Sequence, residues 1–331
     1  MKTMIIGANS LINEATCATV GFFDGVHLGH QFLIEQLKEQ AQQSGLKTAV
    51  VTFAQHPRQV LQSGYQPQLL TSPDERLQQL AATGVDYCYI LDFTPELAST
   101  PAEYFIQKIL RKQLKINELL VGYDHRFGKG RVDDFQNYVN YGTACGMTIR
   151  RGDPCGRPMR SSIDAIDAIN PPISSTAIRK AISEGNMQAA NIMLGYTYTL
   201  AGNVVHGDHL GSKIDFPTAN LEPVEPSKII PQEGAYAVRV RLPDGRTNLG
   251  MAYIGRRPSI AKQNETTSGV NSLRIEVHLF HFDEDLYEQN LQVEFVDYLR
   301  PSAKFPTLEK LRQQLVKDVH KARLALYAIK S

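Results

Sequence analysis

The sequence has few cysteines and no excess of charge of either sign. Its four cysteines form neither a Cys-x-x-Cys pair nor a tight cluster. That spacing predicts neither a zinc site nor a disulfide framework, and it favours a reducing cytoplasm. With 35 Lys and Arg against 34 Asp and Glu, the net charge of +1 provides no general field for holding nucleic acid. Anionic small molecules need only a local pocket, so they stay candidate ligands.

Long apolar segments are also missing. Residues 1–10 contain an apolar run too short for a signal peptide, and no stretch approaches the length of a membrane span. Hydrophobic residues make up 42% of the 331 residues and charged residues 21%, which argues against intrinsic disorder. The length favours two globular domains over one, whereas the oligomeric state stays open.

The first half of the chain alternates between short β-branched runs and longer helical stretches, as βαβ units do. Strands are predicted at residues 17–21, 48–53, 87–91 and 119–122, and helices at residues 31–42, 101–112 and 135–142. We therefore expect an open parallel α/β sheet. Residues 150–158 are rich in Gly, Pro and Arg, which predicts an exposed loop.

From about residue 196 the pattern changes to strand-like segments separated by turn residues. Strands are predicted at residues 200–205, 235–242, 249–254, 273–280 and 291–298. This spacing predicts a small antiparallel barrel or sandwich, and helical periodicity in residues 307–327 predicts a C-terminal helix packed against it. A linker is predicted at Glu184-Gly185-Asn186. It would separate a helix opened by Ser175-Thr176 from a short helix ending at Leu194-Gly195. The predicted domains are therefore residues 1–186 and 187–331.

One Gly-rich segment, Gly21-Phe22-Phe23-Asp24-Gly25-Val26-His27-Leu28-Gly29-His30, lies between a predicted strand and a predicted helix. Helix N-termini at this edge of an open sheet bind phosphates, and Gly21 and Gly29 allow close backbone approach. Neither a Walker A lysine nor a G-x-G-x-x-G turn is present. The histidines therefore indicate charge stabilisation at the α-phosphate of a nucleotide, hence nucleotidyl transfer. The alternative is a Gly-rich turn with two surface histidines.

A second segment supplies hydroxyls and a cation. Ser174, Ser175 and Thr176 precede Arg179 at a predicted helix start. Helix capping alone explains the hydroxyls. Arg179 is expected on the first turn, where a cation opposes the helix dipole unless an anion lies nearby. A triphosphate would be such an anion.

These segments, together with residues 121–128, resemble the three motifs of the adenylyltransferase module of bacterial bifunctional riboflavin kinase/FAD synthetases. Thr52-Phe53 and His56-Pro57-Arg58 extend the resemblance. Taken alone, H-x-G-H and S-S-T-x-x-R would fit any nucleotidyltransferase of that superfamily, including cytidylyl and pantetheine-phosphate enzymes. The resemblance implies a Rossmann-like sheet of the HxGH nucleotidyltransferase type, followed by a small antiparallel β-barrel with a C-terminal helix.

The second half distinguishes among these enzymes. Phe216-Pro217-Thr218-Ala219-Asn220 offers neutral oxygen ligands suited to Mg²⁺ carried by a nucleotide, although composition alone favours a structural turn. The segment resembles the P-T-A-N motif of riboflavin kinases. In residues 274–279, strict alternation places Glu276 on one face with Arg274 and His278.

The resemblance runs from about residue 15 to residue 327 and implies a role for each matching residue. It makes Glu276 the general base on the riboflavin 5′-hydroxyl, and it makes His27 and His30 catalytic in adenylylation of FMN to FAD. Nucleotide contacts are implied in the first domain for Gly21, Phe22, Asp24, Gly29, Asp124, Ser174, Ser175, Thr176 and Arg179. In the barrel they are implied for Gly207, Gly211, Lys213, Thr218 and Asn220, the last two with Mg²⁺. Flavin contacts are implied for Phe53, His56, Pro57, Arg126, Phe127, Arg300 and Phe305.

The chain departs from the family at several barrel positions. Gly211-Ser212-Lys213 stands where the family usually has Gly-Arg before its threonine, Asp215 stands where Gly is usual, and Tyr253 stands where Asn is common. Residues 151–158 are extra relative to the family. The expected partners are riboflavin, FMN and ATP, with no nucleic acid or membrane. The alternatives are a monofunctional FMN adenylyltransferase with an inactive kinase-like barrel, or a non-catalytic flavin-binding regulator.

Overall fold

The computed structural model describes residues 1–7, 10, 12–62, 64–154, 173–207, 215–256 and 273–328. The chain divides into two compact units, unit 1 from Met1 to Ser175 and unit 2 from Thr176 to Ser331. The domain boundary after residue 186 stays a prediction. Among the described residues, no helix is both long and apolar enough to cross a membrane.

Unit 1 is built on a parallel sheet that has six strands within the described residues, in the order β1-β4-β3-β2-β5-β6. The strands are β1 (Lys2–Ile6), β2 (Thr16–Val20), β3 (Lys47–Phe53), β4 (Tyr87–Leu91), β5 (Ile116–Val121) and β6 (Thr148–Arg151). All five residues of β2 are buried, as expected for a central strand covered on both faces. The predicted open α/β sheet is confirmed.

Helices connect these strands. They are α1 (Leu28–Ser44), α2 (Pro57–Leu61), α3 (Pro73–Ala82), α4 (Pro95–Ala98), α5 (Ala102–Tyr104) with a π-helical continuation Phe105–Gln113, and α6 (Phe135–Ala144). Helix α1 begins earlier than predicted because the His27 side chain caps it by accepting a hydrogen bond from the backbone N–H of His30. Histidine is not among the usual capping residues, so local sequence rules do not predict a helix start here.

Two edge strands were not predicted. β1 pairs with β4, and most of its side chains are exposed, so its hydrophobic pattern is weak. Arg150 and Arg151 lie in β6 and pair with Leu120 and Val121, which corrects the prediction of a loop from residue 150. Charged side chains suit an exposed sheet edge, and this explains why composition was misleading. Residues 155–158 of that predicted loop lie outside the described residues.

Unit 2 contains a closed antiparallel barrel in the order β10-β11-β8-β7-β12-β9. Its strands are β7 (Thr199–Val205), β8 (Ala219–Pro223), β9 (Gly234–Arg241), β10 (Thr247–Arg256), β11 (Leu273–Leu279) and β12 (Asn290–Pro301). Two helices, α7 (Ser175–Ser183) and α8 (Met187–Leu194), precede the barrel, and α9 (Leu308–Ala328) follows it. The barrel and C-terminal helix are confirmed, whereas β8 was missed because its sequence is rich in turn formers.

Helix α9 packs on the outer face of the barrel through Ala322 and Leu326, which join Ala237 and Met251 in one apolar cluster. A buried ion pair reinforces this contact. The Nε of Arg300 on β12 donates to Asp318 at 2.9 Å, and its Nη2 lies 2.8 Å from the same carboxylate. Asp318 is fully buried, and Gln314 donates a further bond to it. The carboxylate therefore fastens α9 to β12.

We expect Asp318→Ala to lower the free energy of unfolding by about 3–5 kcal/mol, because it leaves Arg300 without its buried counter-charge. Calorimetry of the full chain measures this. Asp244→Ala, which removes an exposed partner of Arg246, serves as the control and should cost below about 1 kcal/mol. Replacing both Arg300 and Asp318 by Met should recover much of the loss. Equal stability of the Asp318 and Asp244 variants would contradict this account.

Candidate functional site

In unit 1 the predicted motif residues meet at one edge of the sheet. The sheet order places β3, β2 and β5 side by side, and all three run parallel. The segments that follow them, residues 21–27, 54–56 and 122–128, therefore leave the sheet at the same carboxyl edge. Open α/β sheets bind ligands in this position.

The turn after β2 has an unusual backbone. Phe23, Gly25 and Val26 all have positive φ angles, of 56°, 80° and 37°. The buried Asp24 side chain supports the turn, since its carboxylate accepts hydrogen bonds from the backbone N–H groups of Leu70 and Thr71. Asp24 thus holds the turn in place, while its predicted contact with a nucleotide stays a prediction.

His27 and His30, the histidine pair, lie together at the start of α1. Their rings stack with centroids 3.7 Å apart and an interplanar angle of 17°. Gly29 makes room for this arrangement: a Cβ there would lie 3.2 Å from the His27 ring and 3.5 Å from the carbonyl oxygen of Ile173. The glycine of the H-x-G-H motif therefore admits both a folded-back imidazole and the chain segment that leads into α7.

His30 is held in its neutral form. Burial lowers the pKa of His30 well below its ordinary value, and the neighbouring His27 and His125 lower it further. The Nδ1 atom of His30 is buried and has no hydrogen-bond partner among the described residues. A buried, unpaired ring nitrogen is costly unless a ligand satisfies it, so this atom indicates a binding site.

A third histidine, His125, was not assigned a role from the sequence. It follows β5, and its backbone N–H donates to the Gly122 carbonyl. Burial lowers the pKa of His125 to about 4; Arg131 lowers it further and Asp124 opposes the shift. The signal that could have identified it is positional, because a residue directly after β5 lies beside the segment directly after β2.

Arg76 on α3 was also missed. It is 4% exposed, donates to the carbonyl oxygen of Phe53 at 2.8 Å, and lies over the Phe22 ring at 4.2 Å. Burial lowers the pKa of its guanidinium group. Its Nε has no hydrogen-bond partner within the described residues. Arg76 joins the ends of β2 and β3, and nothing in the local sequence of α3 marks it.

The predicted flavin-side residues of unit 1 fall into two groups. The Phe22 ring meets the His56 ring edge-on at 4.8 Å; His56 caps α2, and Pro57 is the first residue of that helix. Phe53 and Phe127, by contrast, pack into the protein against Phe93 and Tyr138. Arg126 and Asp124 are exposed on the turn after β5, and Gly21 continues β2 by donating to the Val51 carbonyl. Their ligand contacts stay predictions.

The Ser-Ser-Thr segment reaches the same turn through Ser175, whose hydroxyl donates to the backbone carbonyl of Asp24. Ser174 directly precedes α7 and is half-buried. Arg179 lies beyond the first turn of α7, so the prediction that it occupies that turn is wrong: the helix begins at Ser175. Thr176 and Arg179 belong to unit 2, and their nucleotide contacts stay predictions.

In the barrel, Glu276 stands in a row of paired residues. It lies opposite Asn220 on β8 and opposite Tyr253 on β10. Directly opposed residues face the same side of a sheet, with Cβ atoms about 5 Å apart. Ile275 and Val277 are buried on the other face, which confirms the predicted alternation.

Asn220 fits closely against the chain. A Cβ at Gly207 would lie 1.9 Å from the Asn220 Nδ2, so only a glycine permits this approach. Thr218 directly precedes β8 and is half-buried. The predicted nucleotide contacts Gly211 and Lys213 lie outside the described residues, as does Ser212.

The residues near Glu276 suit a metal ion that arrives with phosphates. Among the described residues there is no group of three or more His, Cys, Asp or Glu that could hold a metal ion. Thr218 and Asn220 contribute neutral oxygens, and Mg²⁺ commonly combines such ligands with nucleotide phosphates. The fit is therefore to Mg²⁺–ATP rather than to a metal held by the protein alone.

Two further barrel residues that the sequence analysis singled out, Arg300 and Asp215, form contacts within unit 2. Arg300 is bound to Asp318 and lies 5.6 Å from the centre of the Phe305 ring, so most of its guanidinium group is engaged within unit 2. Asp215, which stands where the resemblance implies Gly, adopts a left-handed φ of 61° and contacts Arg312. Aspartate tolerates this conformation better than most residues, and this explains how the glycine can be replaced.

The two sites correspond to two family models. Residues 10–158 match the model described as FAD synthetase, and residues 194–326 match the model described as riboflavin kinase. The architecture is therefore that of a two-domain flavin-nucleotide transferase.

Relatives match the chain over nearly its full length. The bifunctional riboflavin kinase/FMN adenylyltransferase of Listeria monocytogenes is 37% identical, with 92% of this chain and 90% of the relative covered. That of Escherichia coli K12 is 35% identical, with 94% and 92% covered. A crystal structure described as a macrolide-efflux protein from Streptococcus pneumoniae aligns with a TM-score of 0.82 at 28% identity, covering 97% of this chain and 98% of that one. The chain belongs to the family of bifunctional riboflavin kinase/FMN adenylyltransferases, as its motifs predicted.

The depressed pKa of His125 predicts a loss of stability in acid. In the unfolded chain a histidine titrates near 6.5, whereas folded His125 titrates at about 4. Between these values only the unfolded chain takes up the proton, so the free energy of unfolding falls as the pH is lowered from 6.5 towards 4. Above pH 6.5 this contribution to the pH dependence is absent.

We expect His125→Gln to reduce the loss between pH 7 and pH 5 by about 1 kcal/mol, less than the full linkage value because the ring is partly exposed. Calorimetry of the full chain at the two pH values measures this. His320→Gln, which alters an exposed histidine on α9, is the matched control. An unchanged pH dependence in the His125 variant would show that burial does not keep this imidazole neutral.

Proposed function

We propose that the chain makes FAD from riboflavin in two ATP-dependent steps, with the residue roles given below. Unit 2 phosphorylates riboflavin to FMN, and unit 1 transfers an adenylyl group to FMN. The observation that carries the proposal is that each candidate site lies within the part of the chain that matches the corresponding family model. The histidine pair at the start of α1, with its neutral His30, lies within the FAD synthetase match, and Glu276 beside Asn220 lies within the riboflavin kinase match.

In unit 2, Glu276 acts as the general base. Its carboxylate takes the proton of the riboflavin 5′-hydroxyl as the hydroxyl oxygen attacks the γ-phosphorus of ATP; the bond to the bridging oxygen breaks and ADP leaves. Thr218 and Asn220 would hold Mg²⁺ with ATP, and that ion would neutralise phosphate charge. The pairing of Glu276 with Asn220 on the neighbouring strand supports this assignment, because Asn220 is one of the two residues proposed to hold Mg²⁺.

In unit 1, a phosphate oxygen of FMN attacks the α-phosphorus of a second ATP, and pyrophosphate leaves. The histidine pair and the N-terminus of α1 stabilise the negative charge that develops on the α-phosphate oxygens. A neutral imidazole can donate one N–H to such an oxygen, and the buried unpaired nitrogen of His30 supports this role. The reaction needs no covalent intermediate with the protein.

The flavin would lie near His56 and Pro57 in unit 1, beside Phe22, which is assigned to the nucleotide. Phe22 is a half-buried aromatic ring between His56 and the guanidinium group of Arg76, at the carboxyl edge of the sheet.

For the compartment we propose a reducing cytoplasm. The free thiols of Cys17, Cys88 and Cys145 support it, and burial raises the pKa of Cys17 to about 12, which makes that thiol unreactive.

The division of labour predicts opposite defects in two variants. Glu276→Gln should lower FMN formation from riboflavin at least about 100-fold, the usual minimum for a general base, and should leave FMN-to-FAD conversion unchanged. His30→Ala should lower adenylylation about 100-fold or more and spare the kinase. The measurement is a time course with riboflavin, ATP and Mg²⁺ in which FMN and FAD are separated, and a second series starts from FMN.

Glu222→Gln, an exposed carboxylate on β8, controls for the loss of a charge from the barrel. FAD from FMN with no product from riboflavin would support the monofunctional alternative. No product from either substrate would support the alternative of a non-catalytic flavin-binding regulator. Equal damage to both steps in both variants would refute the assignment of one reaction to each unit.

A further inference from the structure

Tyr253 occupies a position beside the proposed general base. It lies on β10 directly opposite Glu276 on β11, where the family commonly has Asn. Directly paired residues of antiparallel strands have Cβ atoms about 5 Å apart on the same face. The two side chains therefore start about 5 Å apart on one face of the sheet, and that of Tyr253 is half-exposed.

The Tyr253 side chain is fixed at two points. Its ring lies over Gly255, where a Cβ would come within 2.6 Å of the ring atom Cε1. Its hydroxyl forms a 2.6 Å hydrogen bond with the hydroxyl of Ser302. This bond joins β10 to the segment after β12, which also carries Phe305. The ring is thus held in one orientation, with no side chain at position 255 to displace it.

Glu276 has chemically different neighbours on its two sides. On the β8 side, Asn220 and Thr218 offer neutral oxygens, and we call this the phosphate flank. On the β10 side, Tyr253 and Ser302 form an aromatic wall with a polar tip, and we call this the acceptor flank. In phosphoryl transfer the attacking and leaving oxygens lie roughly in line, so donor and acceptor approach from opposite sides. The phosphate flank suits ATP, and the acceptor flank suits a flat aromatic molecule that carries the hydroxyl.

We propose that Tyr253 is a specificity-determining residue for the phosphate acceptor: its ring forms a wall against which the isoalloxazine ring of riboflavin packs, and the bond to Ser302 holds that wall in place. The proposal rests on the riboflavin kinase activity proposed above for unit 2. It assigns a function to a position at which this chain departs from its family.

The test compares four variants of the full chain: Tyr253→Ala, Tyr253→Phe, Ser302→Ala, and the last two combined. Riboflavin KM and kcat are measured at saturating ATP, and the riboflavin Kd is measured without ATP from the quenching of flavin fluorescence. Tyr253→Ala should raise both KM and Kd about tenfold, the effect of losing one aromatic contact, while kcat changes less. The KM for ATP should not change.

Tyr253→Phe and Ser302→Ala remove the same hydrogen bond from its two ends. Each should raise the riboflavin Kd about threefold, and the double variant should equal either single variant, because one shared bond can be lost only once. Independent additive effects would overturn the role of the bond. Tyr327→Ala, which removes an exposed tyrosine of α9, is the matched control.

FMN-to-FAD conversion by the same chain serves as an internal control for intact protein, and the melting temperature detects a merely structural effect. An unchanged riboflavin Kd in a stably folded Tyr253→Ala variant would overturn the proposal. A raised KM for ATP with unchanged riboflavin constants would also overturn it. Riboflavin binding is measured without turnover. Absence of kinase activity in the unaltered chain would therefore refute the proposed function, while the binding comparison would still decide the role of Tyr253.

Discussion

The buried carboxylate of Asp24 is the interaction on which the candidate site of unit 1 depends. Three residues of the turn after β2 have positive φ angles although two of them are not glycine, and such a turn persists only when its surroundings fix it. Asp24 supplies that constraint through Leu70 and Thr71, and the carbonyl of the same residue receives the Ser175 hydroxyl. One residue therefore links the start of α1 to the chain before α3 and to Ser175.

In the barrel, the candidate site depends on the register of the paired strands rather than on the conformation of a turn. In a closed barrel each strand is paired on both sides, so a shift of one residue would exchange the two faces of a strand. The buried Ile275 and Val277 fix the register of β11, and this also fixes Glu276 between Asn220 and Tyr253. The residues on either side of Glu276 are thus set by the packing of apolar residues on the opposite face.

Sequence reasoning was accurate where a hydrophobic pattern or a motif was strong. The buried strands β2, β3, β4 and β5, the barrel strands other than β8, and the long helix α9 were all predicted close to their observed bounds. It failed at the exposed edges β1 and β6, where polar side chains weaken the pattern. The start of α1 depends on the His27 cap, so local rules left His30 outside the predicted helix. The start of α7 at Ser175 was predicted, but Arg179 lies beyond the first turn of that helix.

The residues that sequence reasoning missed around the site have one property in common. His125 and Arg76 act through neighbours that are distant along the chain, His30 in one case and the carbonyl oxygen of Phe53 in the other. A single sequence contains no direct signal for such contacts between residues that are distant along the chain. Strand order provides it, because only after β2 is known to lie between β3 and β5 do the segments that follow these strands become neighbours.

The cap on α1 has a chemical consequence. Because the Nδ1 of His27 accepts a hydrogen bond from the backbone of His30, its lone pair is committed to the helix, and a neutral His27 must carry its proton on Nε2. The fold therefore selects one tautomer of this imidazole before any substrate arrives. Asparagine or serine at this position could still begin the helix, but neither would offer an N–H on the far side of a ring. The same hydrogen bond that starts a helix thereby decides which edge of His27 can serve as a donor.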